Sequence, residues 1–180
     1  MIQEQTSAVL SAIRTIANER QGLEALEDAV RTTGEGGLGA ALSEAVKTIS
    51  AARGRVIVTG IGKSGLVGRK IASTLASTGE PASFVHSAEA SHGDLGMVQS
   101  GDVLLAISWS GETAELAPIV TFAKRYAIPL IAMTAHADST LGREADVCLT
   151  MPSAPEACPN GLAPTTSTTM QLVLGDALAI

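Results

Sequence analysis

The feature that most constrains the fold of this chain is an alternation of short apolar runs with stretches of helical pattern. The apolar runs occupy residues 55–59, 84–85, 103–107, 130–133 and 147–151. They show no strict polar–apolar alternation, which is typical of strands covered on both faces. Helical patterns occupy residues 66–77, 114–126, 140–145 and 165–180. The alternation predicts an α/β fold in which helices cover both faces of one parallel sheet through right-handed crossovers.

The segment before the first strand predicts two further helices. Apolar residues recur three or four positions apart over residues 6–31 and again over residues 38–53, where Gly54 provides the stop. A length of 180 residues favours one structural domain. We therefore expect residues 1–54 to pack as helices against a domain formed by residues 55–180. Because the apolar faces of these helices need a cover, we expect them to contribute to an interface between subunits.

Composition and charge exclude several classes of partner. The net charge is −6 and aromatic residues make up 2% of the chain. Both values argue against nucleic acid, because phosphates need a basic surface and unstacked bases need aromatic platforms. No apolar run approaches the roughly 20 residues that span a bilayer, and the N-terminus lacks the basic segment of a signal peptide. Cys148 and Cys158 have no metal-ligand spacing and indicate reduced thiols of a cytoplasmic protein.

The loops that follow the predicted strands form the candidate site, because ligands of parallel sheets bind beyond the carboxyl ends of the strands. The first such loop reads GIGKSG, with Gly62, Lys63 and Ser64 at the start of a helix. Glycines allow close approach to a ligand, and a helix N-terminus beside a lysine favours an anion. The alternative interpretation is a tight turn capped by Ser64. The spacing matches neither the P-loop nor the GxGxxG dinucleotide motif.

The loop after the third strand brings three hydroxyls to the start of a helix. Ser108, Ser110 and Thr113 surround Gly111 in the sequence SWSGET. Several hydroxyls at a helix N-terminus can bind phosphate without a metal, whereas ordinary N-capping needs only one of them. Two such loops on neighbouring strands predict a binding site for a phosphate monoester.

Histidines follow the second strand. His86 and His92 lie six residues apart, close to Glu89 and Asp94. They are candidates for metal ligands or acid–base groups, and their position beyond a strand end favours a role in the site. His136 is interpreted as a surface residue.

Two carboxylates complete the set of candidates. Glu115 lies in the first turn of a predicted helix, where its spacing alone favours the simpler explanation that an acid is stabilised by the helix dipole. Glu156 stands in a proline-rich loop after the fifth strand and is the candidate base, with a solvated loop charge as the alternative. We expect the base to be partly buried, because a general base works best with a pKa near the operating pH.

These stretches resemble the sugar isomerase (SIS) domain, and within it the D-arabinose-5-phosphate isomerases. GKSG and SGET are motifs shared across SIS domains, whereas HGDLGMV at residues 92–98 and EACPNGLAPTTSTT at residues 156–169 are similar to the isomerase branch in particular. The resemblance covers residues 55–180. It implies a five-stranded parallel sheet of the flavodoxin-like type, a three-layer αβα sandwich that assembles as a homotetramer.

The resemblance also implies roles for individual residues. Lys63, Glu115 and Glu156 match residues proposed to act in catalysis. The residues that match substrate-binding and phosphate-binding positions are Gly62, Ser64, Gly79, Glu80, His86, His92, Ser108, Ser110, Gly111 and Thr113. His86 matches a position that can also take an inhibitory zinc ion. The family often has Thr at the position of Glu80 and usually has Asn at that of Trp109.

The implied reaction is the interconversion of D-arabinose 5-phosphate and D-ribulose 5-phosphate through an enediol, with no metal or organic cofactor required. It begins the pathway to the eight-carbon acid Kdo of lipopolysaccharide and some capsules. Family members carry a functional histidine in a Ser-His-Pro-Gly-Gly segment after the last helix, and most carry two CBS domains. Neither lies within these 180 residues. The alternatives are a non-catalytic phosphosugar-binding regulator, an isomerase of a hexulose 6-phosphate, and a truncated isomerase domain.

Overall fold

The structure is a computed structural model that describes residues 7–90 and 92–180. Two helices, α1 (Ser7–Val30) and α2 (Leu38–Ser50), precede the alternating part of the chain. The strands are β1 (Val56–Gly60), β2 (Ala82–His86), β3 (Val103–Ile107), β4 (Leu130–Thr134) and β5 (Val147–Thr150). The later helices are α3 (Gly62–Thr78), α4 (Ser87–Ala90), α5 (Ala117–Arg125), α6 (Thr140–Glu144) and α7 (Thr166–Ala179). Two 3₁₀ turns lie at Asp94–Met97 and Ala114–Leu116.

The five strands form one parallel sheet in the order β2-β1-β3-β4-β5. This is the flavodoxin-like order, in which the chain direction across the sheet reverses between β1 and β3. The predicted α/β class, the parallel sheet and the flavodoxin-like topology are confirmed. The reversal opens a crevice at the carboxyl edge of the sheet, between the loops that follow β1 and β3.

Each face of the sheet is covered by its own hydrophobic core. Val58, Leu105 and Met133 point to the first face and pack against α1, α2, α3 and α7. Leu104 and Ala132 point to the other face and pack against α4, α5 and α6. Both faces are therefore apolar, because successive side chains of a strand alternate between them. This explains why the strands appear in the sequence as continuous apolar runs.

Helix α7 lies between α1 and α3 and closes the first face. A Cβ atom at Gly175 would lie 2.2 Å from Cδ1 of Ile71, so only glycine allows α7 to approach α3 this closely. Lys70 of α3 forms an ion pair with Asp176 of α7. On the other side of α7, the Thr169 hydroxyl donates a hydrogen bond of 2.9 Å to a carboxylate oxygen of Glu19 in α1. These contacts hold the N-termini of α3 and α7 side by side at the carboxyl edge.

The helix boundaries differ from the predicted ones at several points. Helix α3 begins at Gly62 rather than residue 66, because the GKSG sequence is itself helical. Helix α2 ends at Ser50 rather than residue 53. The predicted helix 114–126 divides into a 3₁₀ turn and α5, which has proline in its first turn. Helix α4 and the turn Asp94–Met97 were not predicted, because each is only four residues long.

The N-terminal helices pack onto the first face of the sheet, but their own apolar surface is only partly covered. The side chains of Val9, Leu10, Ile13 and Ile16 are 45–67% exposed. The contribution of these helices to a subunit interface, and the division of the chain at residue 54, stay predictions. Thr6, the first residue of the predicted first helix, lies outside the described residues. Over the ranges 7–90 and 92–180, every helix is too short or too polar to span a bilayer.

Candidate active site at the carboxyl edge of the sheet

The register of the strands brings the predicted loops to one edge. Gly60, the last residue of β1, pairs with His86 at the end of β2 and with Ile107 at the end of β3. The ends of β4 and β5 are aligned with each other in the same way, through Thr134 and Thr150. The five loops that follow the strands therefore begin at the same level, side by side.

The loop after β3 is ordered by hydrogen bonds among its own hydroxyls. The Ser108 hydroxyl lies 2.8 Å from that of Thr113 and accepts a 3.0 Å hydrogen bond from the Gly111 N–H. The Ser110 hydroxyl accepts a hydrogen bond of 3.2 Å from the Glu112 N–H. Ser108 is buried, whereas Ser110 is exposed. These bonds fix the positions of three hydroxyls. One of Ser108 and Thr113 donates to the other, so two of the three O–H groups stay available to donate to an anion.

Residues that follow β4 brace this loop from behind. Gly111 has φ of +69°, and a Cβ atom there would lie 1.9 Å from the Ser139 hydroxyl oxygen and 2.4 Å from the Ser139 Cβ. The Gly111 carbonyl accepts a 3.0 Å hydrogen bond from the Leu141 N–H. The Trp109 carbonyl accepts two more, from the Thr134 hydroxyl at 3.1 Å and the Ala135 N–H at 3.0 Å. The loop is held rigidly against its neighbour.

Glu112 is a further brace between the two loops. Its carboxylate oxygens accept hydrogen bonds of 2.7 Å from the Thr140 hydroxyl and from the Thr140 N–H. These two bonds hold the pKa of the Glu112 carboxyl below its ordinary value. The side chain is exposed, and its role is to join the loops after β3 and β4.

Glu156 joins the loop after β5 to the N-terminus of α7. One of its carboxylate oxygens accepts hydrogen bonds from the Thr165 N–H at 2.7 Å and the Thr165 hydroxyl at 2.9 Å. The Ser167 N–H points to the same oxygen from 3.5 Å. The side chain is half-buried, as expected for a base. A carboxylate in this position is also favoured by the positive end of the helix dipole.

Burial by itself would raise the pKa of Glu156, but the hydrogen bonds from Ser167 and Thr165 outweigh it and hold the pKa below the ordinary value of about 4.5. This differs from a base tuned towards neutrality. The carboxyl is instead kept ionised, in the form that accepts a proton. The cause is the capped helix N-terminus, which the sequence of the loop does not reveal.

The depressed pKa of Glu156 predicts a pH-dependent contribution to stability. A carboxyl whose pKa is lower in the folded state stabilises the fold at pH values above its unfolded pKa, and that contribution disappears as the pH falls through the folded pKa. We expect the free energy of unfolding of Glu156→Gln to lie below that of the unsubstituted protein above about pH 4.5 and to converge with it at lower pH. Urea titrations across this range measure the difference. Glu35→Gln, at an exposed turn, controls for the change in net charge; a pH-independent difference would contradict the prediction.

A cleft of about 270 Å³ opens between the loops after β1, β3 and β5. Ser64, Trp109 and Glu156 line it, one from each loop. Ser167 and Thr168, at the N-terminus of α7, line it as well. A larger groove of about 550 Å³ at the opposite edge contains none of the predicted site residues, so volume alone does not locate the site. The cleft combines hydroxyls, a helix N-terminus and an ionised carboxylate, which suits an anionic polyhydroxyl ligand.

The predicted hydroxyls do not all face this cleft. Ser110 lines a neighbouring open cleft with His136 and Ser139. Gly111 and Thr113 line a mainly apolar crevice of about 260 Å³ on the side of α5. The three depressions share the loop after β3 as their common wall. Within one chain, the predicted phosphate-binding residues of this loop therefore face different, adjacent clefts.

The remaining predicted residues of these loops are not among those that line the cleft. Lys63 is exposed in the first turn of α3, next to Ser64, and Glu115 is exposed in the 3₁₀ turn before α5. The half-buried His86 ends β2, where its Nδ1 accepts a hydrogen bond of 3.3 Å from the Ala88 N–H, and His92 is exposed in the following loop. Their roles stay predictions.

Gly79 and Glu80 lie at the amino edge of the sheet, where α3 ends. Gly79 has φ of +102°, and the Glu80 N–H closes the helix with a hydrogen bond of 3.0 Å to the Leu75 carbonyl. The pair lines a crevice with the C-terminal end of α7. Within a single chain, Gly79 and Glu80 therefore lie apart from the other predicted site residues.

No group of three or more metal-ligating side chains occurs within residues 7–90 and 92–180. His86 has no histidine, cysteine or carboxylate cluster around it in the described part of the chain. The zinc-binding role of His86 stays a prediction.

Sequence reasoning did not select Ser167, Thr168 or Trp109 as cleft residues. Ser167 and Thr168 belong to the hydroxyl run TTSTT, at the start of a helix. That is the same signal that identified the loops after β1 and β3, so the pattern was sufficient to find them. Trp109 gives no such signal, because an aromatic residue between two serines has no fixed orientation in the sequence.

Comparison with known proteins gives a consistent result. Residues 48–180 match the family model described as SIS domain. Arabinose 5-phosphate isomerase KdsD from Pseudomonas aeruginosa is 51% identical over 170 residues, which are 94% of this chain and 50% of that protein. The protein of the same name from Escherichia coli K12 is 56% identical over 128 residues, 71% of this chain and 39% of that protein. The chain spans about half or less of the length of these curated relatives.

A solved structure supports the same relationship. The structure of the protein c3406 from E. coli CFT073, in complex with arabinose 5-phosphate, superposes with a TM-score of 0.85 and 38% sequence identity. The alignment covers 97% of this chain and 90% of that one.

Proposed function

Because this chain belongs to the SIS domain family, we propose that it is an aldose–ketose isomerase that interconverts D-arabinose 5-phosphate and D-ribulose 5-phosphate. The observation that carries the proposal is the ionised, half-buried Glu156 facing the same cleft as Ser64 and the N-terminus of α7. The curated relatives named arabinose 5-phosphate isomerase, and the structural neighbour bound to arabinose 5-phosphate, support the choice of substrate.

The reaction moves a proton between adjacent carbons. In the open-chain aldose, Glu156 removes the proton from C2, which leaves a cis-enediol, and returns a proton to C1 to form the ketose. A proton also passes between the oxygens on C1 and C2. Glu115 is the second candidate for the carboxylate that carries these protons. Lys63 stabilises the negative charge that develops on the enediolate oxygen. Only protons are transferred in this scheme, and it uses no metal and no organic cofactor.

The phosphate group orients the sugar. Hydroxyls of Ser64, Ser108, Ser110 and Thr113, with the backbone at Gly62 and Gly111, hold the phosphate in this proposal. Its binding energy then positions the reacting carbons near the carboxylate. His86 and His92 bind the sugar from the loop after β2. Because one chain places Gly79 and Glu80 at the opposite edge, they contact substrate only from a neighbouring subunit, which fits the proposed homotetramer.

We assign the protein to the cytoplasm, where two unpaired cysteines remain reduced. The product of the reverse reaction, D-arabinose 5-phosphate, supplies the synthesis of Kdo in this proposal. The link to Kdo synthesis is supported by the family resemblance and by the names of the relatives.

The test is formation of D-ribulose 5-phosphate from D-arabinose 5-phosphate by the purified chain, with EDTA present and substrate binding measured in parallel. We expect turnover that EDTA does not abolish. Binding of D-arabinose 5-phosphate without turnover would overturn the enzymatic proposal and favour a phosphosugar-binding regulator. Absence of both would overturn the choice of substrate, and a panel of other sugar phosphates would follow.

A further inference from the structure

One wall of the cleft is formed by an apolar residue rather than by a hydroxyl or a carboxylate. Trp109 lies between Ser108 and Ser110 in the sequence, yet its side chain lines the same cleft as Ser64 and Glu156. From this placement we propose that Trp109 is the specificity-determining residue that recognises the carbon chain of the substrate, while the hydroxyls recognise its phosphate. The proposal rests on the proposed function, because it concerns the same cleft.

Trp109 is held in a fixed position. Its backbone carbonyl accepts two hydrogen bonds, from the Thr134 hydroxyl at 3.1 Å and the Ala135 N–H at 3.0 Å. The ring is half-buried and packs against the core formed by α1, α2, α3 and α7. Leu162, another apolar residue of the cleft, is 82% exposed and has no such support. Trp109 is therefore a rigid apolar surface of the cleft.

An indole suits the carbon chain of a sugar phosphate. The electron-rich face of the ring attracts the slightly positive C–H bonds that one side of a sugar presents. Among the described residues, none accepts a hydrogen bond from the indole N–H of Trp109. The ring thus has a face for C–H groups and an edge with a donor for a sugar hydroxyl. Inorganic phosphate offers no C–H surface, so the ring contributes little to its binding.

Trp109 is the single tryptophan of the chain, so its fluorescence reports on the cleft alone. We expect D-arabinose 5-phosphate to change the emission of the unsubstituted protein with a midpoint close to its KM. Turnover of this substrate with no change in emission would overturn the inference and leave the proposed function standing. A saturable change in emission without turnover would support the inference and count against the proposed function.

Kinetics provide a second test. We expect Trp109→Ala to raise KM for D-arabinose 5-phosphate by about tenfold or more, since one missing methylene group in an apolar pocket already costs about 10–200-fold. We expect kcat to change by less than about threefold, because the ring binds ground state and transition state alike. The inhibition constant of inorganic phosphate should stay within about twofold. Trp109→Phe should recover most of the lost affinity, because it restores a flat ring.

Tyr126→Ala is the matched control. It removes an aromatic side chain that is 56% exposed and contacts Phe122 at the end of α5, away from the cleft. Its KM should equal that of the unsubstituted protein. Equal KM values for Trp109→Ala and Tyr126→Ala would overturn the inference. If Trp109→Ala does not fold, as judged by urea unfolding, Trp109→Phe and the fluorescence titration decide the question. A parallel loss of affinity for inorganic phosphate and sugar phosphate would also overturn it.

Discussion

Replacing Glu156 by glutamine is expected to lower kcat for the isomerisation of D-arabinose 5-phosphate by about 10²–10⁴-fold, the usual contribution of a positioned acid–base group. Glutamine has nearly the shape of glutamate. Its carbonyl oxygen still accepts hydrogen bonds from the Thr165 N–H and hydroxyl, which lie 2.7 and 2.9 Å from the carboxylate oxygen of Glu156. The hydrogen bonds at the start of α7 are therefore kept, while the negative charge is lost and with it the capacity to carry a proton.

Glu115→Gln is the matched control, since it makes the same chemical change at an exposed position before α5. We expect it to lower kcat by about tenfold or less, as for a charge that only adjusts the field of the site. Initial rates at saturating substrate measure both variants. If Glu115→Gln abolishes turnover and Glu156→Gln does not, Glu115 is the base and Glu156 is not. If both variants keep the turnover of the unsubstituted protein, neither carboxylate is the base.

Replacing Gly111 by alanine is expected to lower the free energy of unfolding by about 2–5 kcal/mol. A left-handed conformation costs a residue with a Cβ about 1–2 kcal/mol, and forcing an atom into a packed site costs about 1–3 kcal/mol. Both penalties apply here, because Gly111 has φ of +69° and the new Cβ would meet the Cβ of Ser139 at 2.4 Å. Rotation of the Ser139 hydroxyl does not relieve that contact.

Gly62→Ala separates the two penalties. Gly62 has φ of +58°, and no atom of its surroundings lies within 4 Å of the position of a new Cβ. We expect a loss of only about 1–2 kcal/mol there, from the backbone conformation alone. Urea denaturation of both variants gives the comparison. Equal losses at the two positions would show that the contact between Gly111 and Ser139 is relieved by movement of the loops.

The parts of the site that could be predicted from the sequence are those fixed by local pattern. The strands are apolar runs, and parallel strands end at one edge, so Ser108 and Glu156 were expected beyond strand ends near GIGKSG. Both lie there in the structure. The hydroxyl run at the start of α7 carried the same signal, and its contribution to the cleft was not recognised.

The parts that could not be predicted depend on contacts between distant segments. Ser64 and Ser110 face different clefts because the loop after β3 is turned by Gly111 and braced by the loop after β4. The pKa of Glu156 is lowered by hydrogen bonds from the hydroxyl and backbone N–H groups of Ser167 and Thr165 at the start of α7, which begins ten residues further along the chain. Neither effect has a signature in the loop that carries the residue.

The position of α7 between α1 and α3 has a consequence for synthesis on the ribosome. Helix α3 is complete at residue 78, but its neighbour α7 begins only at residue 166. During that interval Ile71 and the adjoining core side chains of the first face lack one of their covering helices. Nascent chains with exposed apolar surface are prone to aggregate and are the usual clients of chaperones. Ribosome-bound chains arrested before α7 are therefore expected to be protease-sensitive on this face, whereas the opposite face can already be closed by α5.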